Sequence, residues 1–186
     1  MSDRYLEIAH SGFGGKMLGS IGLPVPPALK RDSSPWQAAP CANQTVLLEV
    51  ATLSPATAAI TKALADAGAQ VSSLVNSNTL KDTANLVAQQ GGHLSLLDAA
   101  SKTNALVFDA SGITTITGMA SLHSFFNAAI ALLKRNGKVV VVGATPDSQT
   151  TSEATAAQQG LTGFTRSLAK ELGRKGVAVQ LFQVAP

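Results

Sequence analysis

From residue 44 onward, short apolar runs alternate along the chain with segments of helical periodicity. Apolar runs of four to eight residues are typical of strands buried on both faces of a parallel sheet, whereas apolar residues three and four apart indicate a helix that packs on one side. Strands and helices that alternate with short connections require right-handed crossovers and helices on both faces of the sheet. We therefore predict a three-layer α/β domain with a doubly wound parallel sheet of about six strands.

Cap and turn residues set the boundaries of these elements. Ser54 and Pro55 mark the start of the first helix of the domain, because Ser is a favoured N-cap and Pro is favoured at the first helical position. Glycines close the helices. The predicted strands cover residues 45–50, 70–75, 93–97, 105–108, 138–142 and 177–184. The predicted helices cover residues 55–67, 79–89, 119–135 and 153–172.

Residues 1–40 form a separate N-terminal extension. They hold five of the eight prolines of the chain, and their short apolar patterns predict one or two amphipathic helices followed by an extended linker. We therefore divide the chain into an extension over residues 1–40 and a domain over residues 41–186.

Composition and charge exclude several classes of function. The 14 basic residues are scattered and the net charge is only +3, which argues against nucleic-acid binding. His10, His93, His123 and the single Cys41 lie too far apart in sequence to indicate a metal site. The single cysteine fits a reducing cytoplasm, and no apolar run is long enough to predict a membrane span.

The segments 160–172 and 176–179 strongly resemble the short-chain dehydrogenases/reductases, where they are the end of the active-site helix and the following strand. Residues 136–142 resemble the strand before that helix, and residues 109–113 stand where the family has an Asn-Asn-Ala-Gly turn. The resemblance covers residues 44–184 and implies a Rossmann-like fold. Together with residues 2–5, 22–24 and 29–31, it is closest to the degenerate N-terminal domain of high-molecular-weight β-ketoacyl-ACP reductases (3-oxoacyl-ACP reductases).

The catalytic residues that this resemblance implies are absent. The family uses a Tyr as proton donor and a Lys four residues later, on the same face of the helix. Those positions fall on Ala154 and Gln158, which carry neither a transferable proton nor a charge. Thr145 and Ser148 lie near the position of the family's serine, and we interpret them as loop residues. We therefore predict no catalytic residue in this chain.

The cofactor loop is also absent. Pyrophosphate binding requires glycines between the first strand and helix, so that the backbone can approach the ligand and present its N–H groups. The turn contains no glycine, and its proline removes one donor; it reads Ala51, Thr52, Leu53, Ser54 and Pro55. The end of the second strand, residues 75–78, also lacks an acidic residue for the adenosine ribose. We predict that the chain binds neither NAD(H) nor NADP(H).

The resemblance implies that the full-length parent reduces 3-oxoacyl thioesters in fatty-acid metabolism, with NAD(H) or NADP(H), through a C-terminal domain beyond Pro186. We expect this chain to be its non-catalytic N-terminal domain, C-terminally truncated, with a structural role in assembly. Two alternatives remain open. One is a module that binds a mononucleotide or an acyl group on the same sheet, and the other is an active oxidoreductase with displaced catalytic groups.

Apolar residues on two helices are the candidates for an interface with the missing reductase domain or with a second copy. They are Leu122, Phe125, Phe126, Leu133, Leu161, Phe164 and Leu168. Successive helical positions are about 100° apart. We therefore expect that Phe125 and Phe126 do not both point into the core, and that one of them meets a partner.

Overall fold

The computed structural model describes residues 4–23, 25–30, 35–74, 78–98 and 101–185. The helices in chain order are α1 (Arg4–His10), α2 (Gly12–Ser20), α3 (Pro55–Asp66), α4 (Asn78–Gln89), α5 (Ala120–Ala129) and α6 (Ser152–Leu172). The strands are β1 (Thr45–Val50), β2 (Gln70–Ser73), β3 (Leu94–Leu96), β4 (Thr103–Asp109), β5 (Leu133–Ala144) and β6 (Ala178–Val184). Some residues named in the sequence analysis lie outside the described residues. They are residues 75–77, at the predicted end of the second strand, and residues 2, 3, 24, 31 and 186.

The six strands form one sheet in the order β3-β2-β1-β4-β5-β6, and every neighbouring pair is parallel. The order reverses between β1 and β4, so the connections that leave these two strands diverge at the carboxyl edge of the sheet. This arrangement confirms the predicted Rossmann-like, doubly wound sheet. In such sheets the crevice at the reversal point is where ligands bind.

One face of the sheet is closed by α5 and α6. Phe108 of β4 is fully buried there, and its ring lies 5.4 Å from that of Phe125 and 5.9 Å from that of Phe126. Phe164 of α6 adds a fourth ring, 5.2 Å from Phe126. The aromatic rings thus join the sheet, α5 and α6 into one apolar core.

The end of α5 differs from the sequence prediction. The predicted helix continues to residue 135, whereas α5 ends at Ala129 and the chain re-enters the sheet at Leu133. The backbone N–H of Thr103 donates to the carbonyl of Leu132, and Leu133 pairs with Thr103. The apolar residues at 130, 132 and 133 are compatible with a helix or with a strand. Hydrogen bonds to β4 favour the strand.

The other face of the sheet is closed over only half of its width. Val46, Leu48 and Val71 form a second core with residues of α3, among them Ile60 and Leu64. Beyond α3 the side chains of β6 on this face are exposed, and Phe182 keeps 53% of its surface accessible. Within the described part of the chain, this face is therefore open over β6.

The N-terminal extension begins with an α-helical hairpin, formed by α1 and α2. Its two helices pack closely at Gly14, where a β-carbon would collide with the Ile8 carbonyl. After the hairpin, residues 25–30 run to the amino edge of the sheet, where the Asn136 amide donates to the Ala28 carbonyl at 3.0 Å. No described helix is long and apolar enough to cross a membrane.

Candidate functional site

The turn between β1 and α3 lies at the reversal point of the sheet, where a Rossmann-like fold would bind a phosphate. Ser54 caps α3: its hydroxyl accepts from the Ala56 N–H at 3.1 Å, while the Thr57 hydroxyl accepts from the Ser54 N–H at 3.0 Å. These two side chains satisfy donors that a phosphate would otherwise use. Pro55, the next residue, supplies no N–H at all. The helix end is thus complete without a ligand.

A buried carboxylate lies directly behind this helix end. Asp109, the last residue of β4, is fully buried and accepts from the Thr57 hydroxyl at 2.6 Å, from the Ser111 N–H at 3.0 Å and from the Ser111 hydroxyl. The Ser111 hydroxyl also lies 2.6 Å from that of Ser54, which closes the network on the cap of α3. The anion that faces the positive end of α3 is therefore part of the protein itself.

The charge around this crevice also disfavours a phosphate. The loops that follow β1, β4 and β5, residues 51–54, 110–119 and 145–151, contain no Lys or Arg. A pyrophosphate beside Asp109 would meet a like charge with no cation to offset the repulsion. In addition, the loops after β1 and β4 touch at Gly112, where a β-carbon would overlap the Thr52 carbonyl. The cavity that remains beside this contact is about 320 Å³, and its lining includes four threonines and one serine.

Gln158, which the sequence resemblance assigns to the position of the family's lysine, is a fully buried structural residue. Its Nε2 donates to the carbonyls of Ala110, at 2.9 Å, and Ile113, at 2.7 Å. Its Oε1 accepts from the Ala144 N–H at 2.8 Å. One amide thus ties α6 to the chain after β4 and to the end of β5, and both of its polar atoms are in use.

The close approach of Gln158 depends on Gly143. A β-carbon at that position would lie 2.9 Å from the Gln158 Oε1 and 2.5 Å from a methyl group of Leu161. The glycine therefore lets α6 sit directly on the end of β5. The sequence signal for this packing is a glycine directly after the four valines of the strand.

The other residues that the resemblance assigns to catalytic positions, or near them, also have structural contacts. Ala154 is buried in the first turn of α6, and its N–H donates to the Thr151 hydroxyl of the N-cap at 3.1 Å. The Ser148 hydroxyl donates to the Thr145 carbonyl at 2.7 Å, and the Thr145 hydroxyl donates to the Val184 carbonyl at 3.2 Å. The only tyrosine of the chain is Tyr5, in α1. Among the described residues, no tyrosine and lysine are brought together at this edge.

One titratable group near the crevice has a perturbed pKa. Burial raises the pKa of Glu49, near the end of β1, above its ordinary value of 4.5, and a weak hydrogen bond from Ser73 opposes the shift. Glu49 follows Leu47 by two positions and therefore points to the face that α5 and α6 cover. Among the described residues there is no group of three or more His, Cys, Asp or Glu side chains that could hold a metal ion.

The interface candidates of the sequence analysis lie in the core of this chain. Phe125 and Phe126 retain only 5% and 3% of their surface, so the expectation that one of them faces a partner is wrong. Both rings reach the core because α5 lies in the angle between the sheet and α6: Phe125 contacts Phe108, and Phe126 contacts both Phe108 and Phe164. The remaining candidates also belong to or pack against this core: Leu122, Leu133, Leu161 and Leu168.

Comparisons with known proteins identify the fold. No protein-family model matches the sequence, and no curated protein matches it. A short-chain dehydrogenase/reductase from Serratia marcescens superposes with a TM-score of 0.53 at 17% identity, over 77% of this chain and 74% of that one. A dehydrogenase/reductase from Sinorhizobium meliloti gives 0.57 at 19% identity, over 80% and 74%.

An NADH-dependent reductase solved in complex with NAD gives the higher TM-score of 0.60, at 13% identity, over 80% of this chain and 81% of that one. At such identities the likeness concerns the fold alone. The strand order, the parallel pairing and these superpositions agree: the chain has the fold of the short-chain dehydrogenases/reductases.

Proposed function

We propose that this chain is a non-catalytic Rossmann-like domain with a structural role in a larger oxidoreductase, a 3-oxoacyl-ACP reductase whose NAD(P)H-dependent chemistry resides in another domain. The observation that carries this proposal is the fully buried Gln158, whose amide is used entirely in holding three segments together. A residue in that state neither anchors a cofactor ribose nor assists a proton transfer.

The network around Asp109 supports the same proposal independently. A dinucleotide site needs free N–H groups at the start of α3, whereas this helix has a complete capping box and a buried carboxylate behind it. Both sites that the chemistry requires, one for phosphate and one for proton transfer, are filled with internal hydrogen bonds. Two independent sites filled in this way favour a domain without catalysis over an oxidoreductase with displaced catalytic groups.

The mononucleotide alternative is disfavoured by charge. A phosphate at the carboxyl edge would have no Lys or Arg within the loops after β1, β4 and β5. It would also approach the buried carboxylate of Asp109. The acyl-group alternative needs an apolar cavity rather than a cation, and the groove described below provides the test for it.

Calorimetric titration of the chain with NADH and with NADPH tests whether it has a cofactor site. We expect no saturable binding by the 186-residue chain up to about millimolar concentration, where even a weak site of about 4 kcal/mol becomes visible. A catalytically complete short-chain reductase in the same buffer is the positive control. Saturable binding at micromolar concentration would contradict the proposal.

The double variant Ala154→Tyr and Gln158→Lys tests the loss of catalysis. We expect no reduction of a 3-oxoacyl thioester by the chain or by this variant with either nicotinamide, because the phosphate site stays filled by Ser54, Thr57 and Asp109. Circular dichroism of the variant establishes whether it is folded. Turnover by the folded variant would show that the cofactor binds this edge in another way.

A further inference from the structure

An apolar groove runs along the open face of the sheet, between α3 and β6. Its volume is about 600 Å³. One wall is a row of small residues on α3, among them Ala56, Ala59 and Ala63, and the floor includes Val142 and the half-exposed Phe182. Parallel sheets are normally covered on both faces, usually by helices. A wall of alanines lets a neighbouring helix approach α3 at the short end of the usual interaxial distance, about 8 Å.

The N-terminal hairpin carries the matching feature, a helical stripe without a cover. Phe13, Met17 and Ile21 follow one another at intervals of four residues, which places them on one side of α2 and its C-cap. All three are exposed, and Phe13 keeps 80% of its surface accessible. Among the described residues, the sheet face over β6 is thus not covered by a helix, and the apolar stripe of α2 is not packed against another element.

The linker joins the hairpin to the domain and limits whether the α2 stripe can reach the groove of its own copy or only that of a second copy. Residues 25–30 lie at the foot of the open face, where Leu29 lines a small cavity with Lys138 and Ala178, residues of the same face as Phe182. His10 of the hairpin is hydrogen-bonded to the Pro26 carbonyl at 3.0 Å, and the Ala28 carbonyl accepts from Asn136. The first contact folds the hairpin back on its own linker and the second holds the linker at the sheet, while the stripe remains exposed. Turning the stripe onto its own groove would require the hairpin to leave this linker contact of His10, whereas a second copy can meet the stripe as it stands.

We propose that two copies of this chain form a closed dimer, in which the α2 stripe of each copy docks in the groove between α3 and β6 of the other. A reciprocal exchange satisfies both apolar surfaces on both copies and leaves no open end for further addition. It also covers the side chains that β6, the edge strand of the sheet, exposes on this face. This inference does not depend on the proposed function.

Sedimentation velocity of the full chain tests the dimer. We expect the parent to be dimeric at micromolar concentration, and Phe13→Asp and Phe182→Asp each to weaken association by about 100-fold or more, because each puts a charge into a desolvated contact. The matched control is Leu96→Asp, a side chain as exposed as Phe182 but on β3 at the opposite edge of the sheet. This control should leave association unchanged. Circular dichroism checks that all variants fold.

Mixing the two variants sharpens the test. A Phe13→Asp copy keeps its groove and a Phe182→Asp copy keeps its stripe, so a mixture can form one of the two contacts. We expect the mixture to contain heterodimers at concentrations at which each variant alone is a monomer. Failure of the mixture to associate, with both variants folded, would overturn the exchange.

Two further outcomes would also overturn the proposal. A monomeric parent in which hydrogen exchange protects both α2 and β6 would mean that the hairpin closes on its own groove. A monomeric parent that binds the neutral apolar dye Nile red, and loses this binding in Ala63→Phe, would assign the groove to a small apolar ligand, as the acyl-group alternative requires. A dimeric parent that binds the dye only after Phe13→Asp would support the exchange.

Discussion

The two faces of the sheet differ in how completely the chain covers them, and the difference corrects an argument based on apolar content. The face under α5 and α6 takes up four of the six phenylalanines of the chain in one cluster of rings. The opposite face has two helices over β1 to β3 and exposes Phe182 on β6. The apolar residues that appear in excess on α5 and α6 therefore belong to the core. The sequence pattern did not indicate the exposed apolar surface on β6.

The largest effect that separates the two faces should come from the aromatic cluster. Phe126→Ala removes a ring that contacts Phe108, Phe125 and Phe164, and we expect it to lower the free energy of unfolding by about 3–5 kcal/mol. Phe182→Ala, measured with the chain dilute enough to be monomeric, should change it by less than about 0.5 kcal/mol. Urea denaturation measures both. Equal effects of the two substitutions would remove the contrast between the faces.

The polar clamp on the closed face should give the next largest effect. Gln158→Lys leaves the Ala144 N–H without its acceptor and buries an ammonium that has no carboxylate partner among its contacts, and we expect a loss of about 3–4 kcal/mol. Gln158→Met keeps the shape and leaves backbone groups unpaired, for a loss of about 1–3 kcal/mol. Denaturation curves of the two variants give the order. A lysine variant as stable as the methionine variant would show that the site has room and water for a charge.

A smaller effect should come from the carboxylate at the reversal point. Asp109→Asn keeps the size of the side chain but sets an NH2 group against the Thr57 or Ser111 donors, and we expect a loss of about 1–3 kcal/mol. The matched variant Asp66→Asn, on the exposed end of α3, removes a surface ion pair with Lys62 and should cost less than about 1 kcal/mol. Neither variant should gain NADH binding in the calorimetric titration. Saturable binding by Asp109→Asn would mean that charge alone keeps the cofactor out.

The smallest effect concerns pH. Burial raises the pKa of Glu49 in the folded chain above 4.5, so the folded state holds this proton more tightly than the unfolded state does. The stabilisation is complete below that value and is lost as pH rises through the pKa of the folded chain. Glu49→Gln should therefore gain stability relative to the parent between about pH 4.5 and neutrality, as measured by urea denaturation across that range. A difference that shrinks with rising pH would contradict the assigned direction.

The sequence predicts the elements of this fold well because each boundary has a local cause. Ser54 and Pro55 start α3, as the cap preferences require, whereas the chain continues past Gly173 in a 3-10 turn and the left-handed glycine is Gly176. The end of α5 depends instead on pairing between β4 and β5, which the periodicity of residues 130–133 does not contain. Tertiary pairing decided that boundary.

Single positions of the sequence are enough to show that it contains no Tyr–Lys pair on α6 and no glycine in the β1–α3 turn. They do not predict which hydrogen bonds form at those positions instead. Asp109 and Thr57 are 52 residues apart and Gln158 and Ala110 are 48 apart, and these bonds exist only once the strands are in order. Both phenylalanines of α5 reach the core for the same reason, since α6 provides a second wall beside the sheet. A helical wheel drawn against one flat surface does not include that wall.

The internally bonded carboxyl edge also has an evolutionary consequence. A dinucleotide site with a Tyr–Lys pair would require glycines in the β1–α3 turn, removal of the Asp109 carboxylate, and a lysine and a tyrosine in place of Gln158 and Ala154. Taken singly, the exchanges at Asp109 and Gln158 unpair buried polar groups before any ligand is present to replace them. Either of these two exchanges alone is therefore expected to lower stability without creating a complete site, so selection would act against both as first steps. The hydrogen bonds that complete this edge therefore oppose the acquisition of a dinucleotide site by single substitutions.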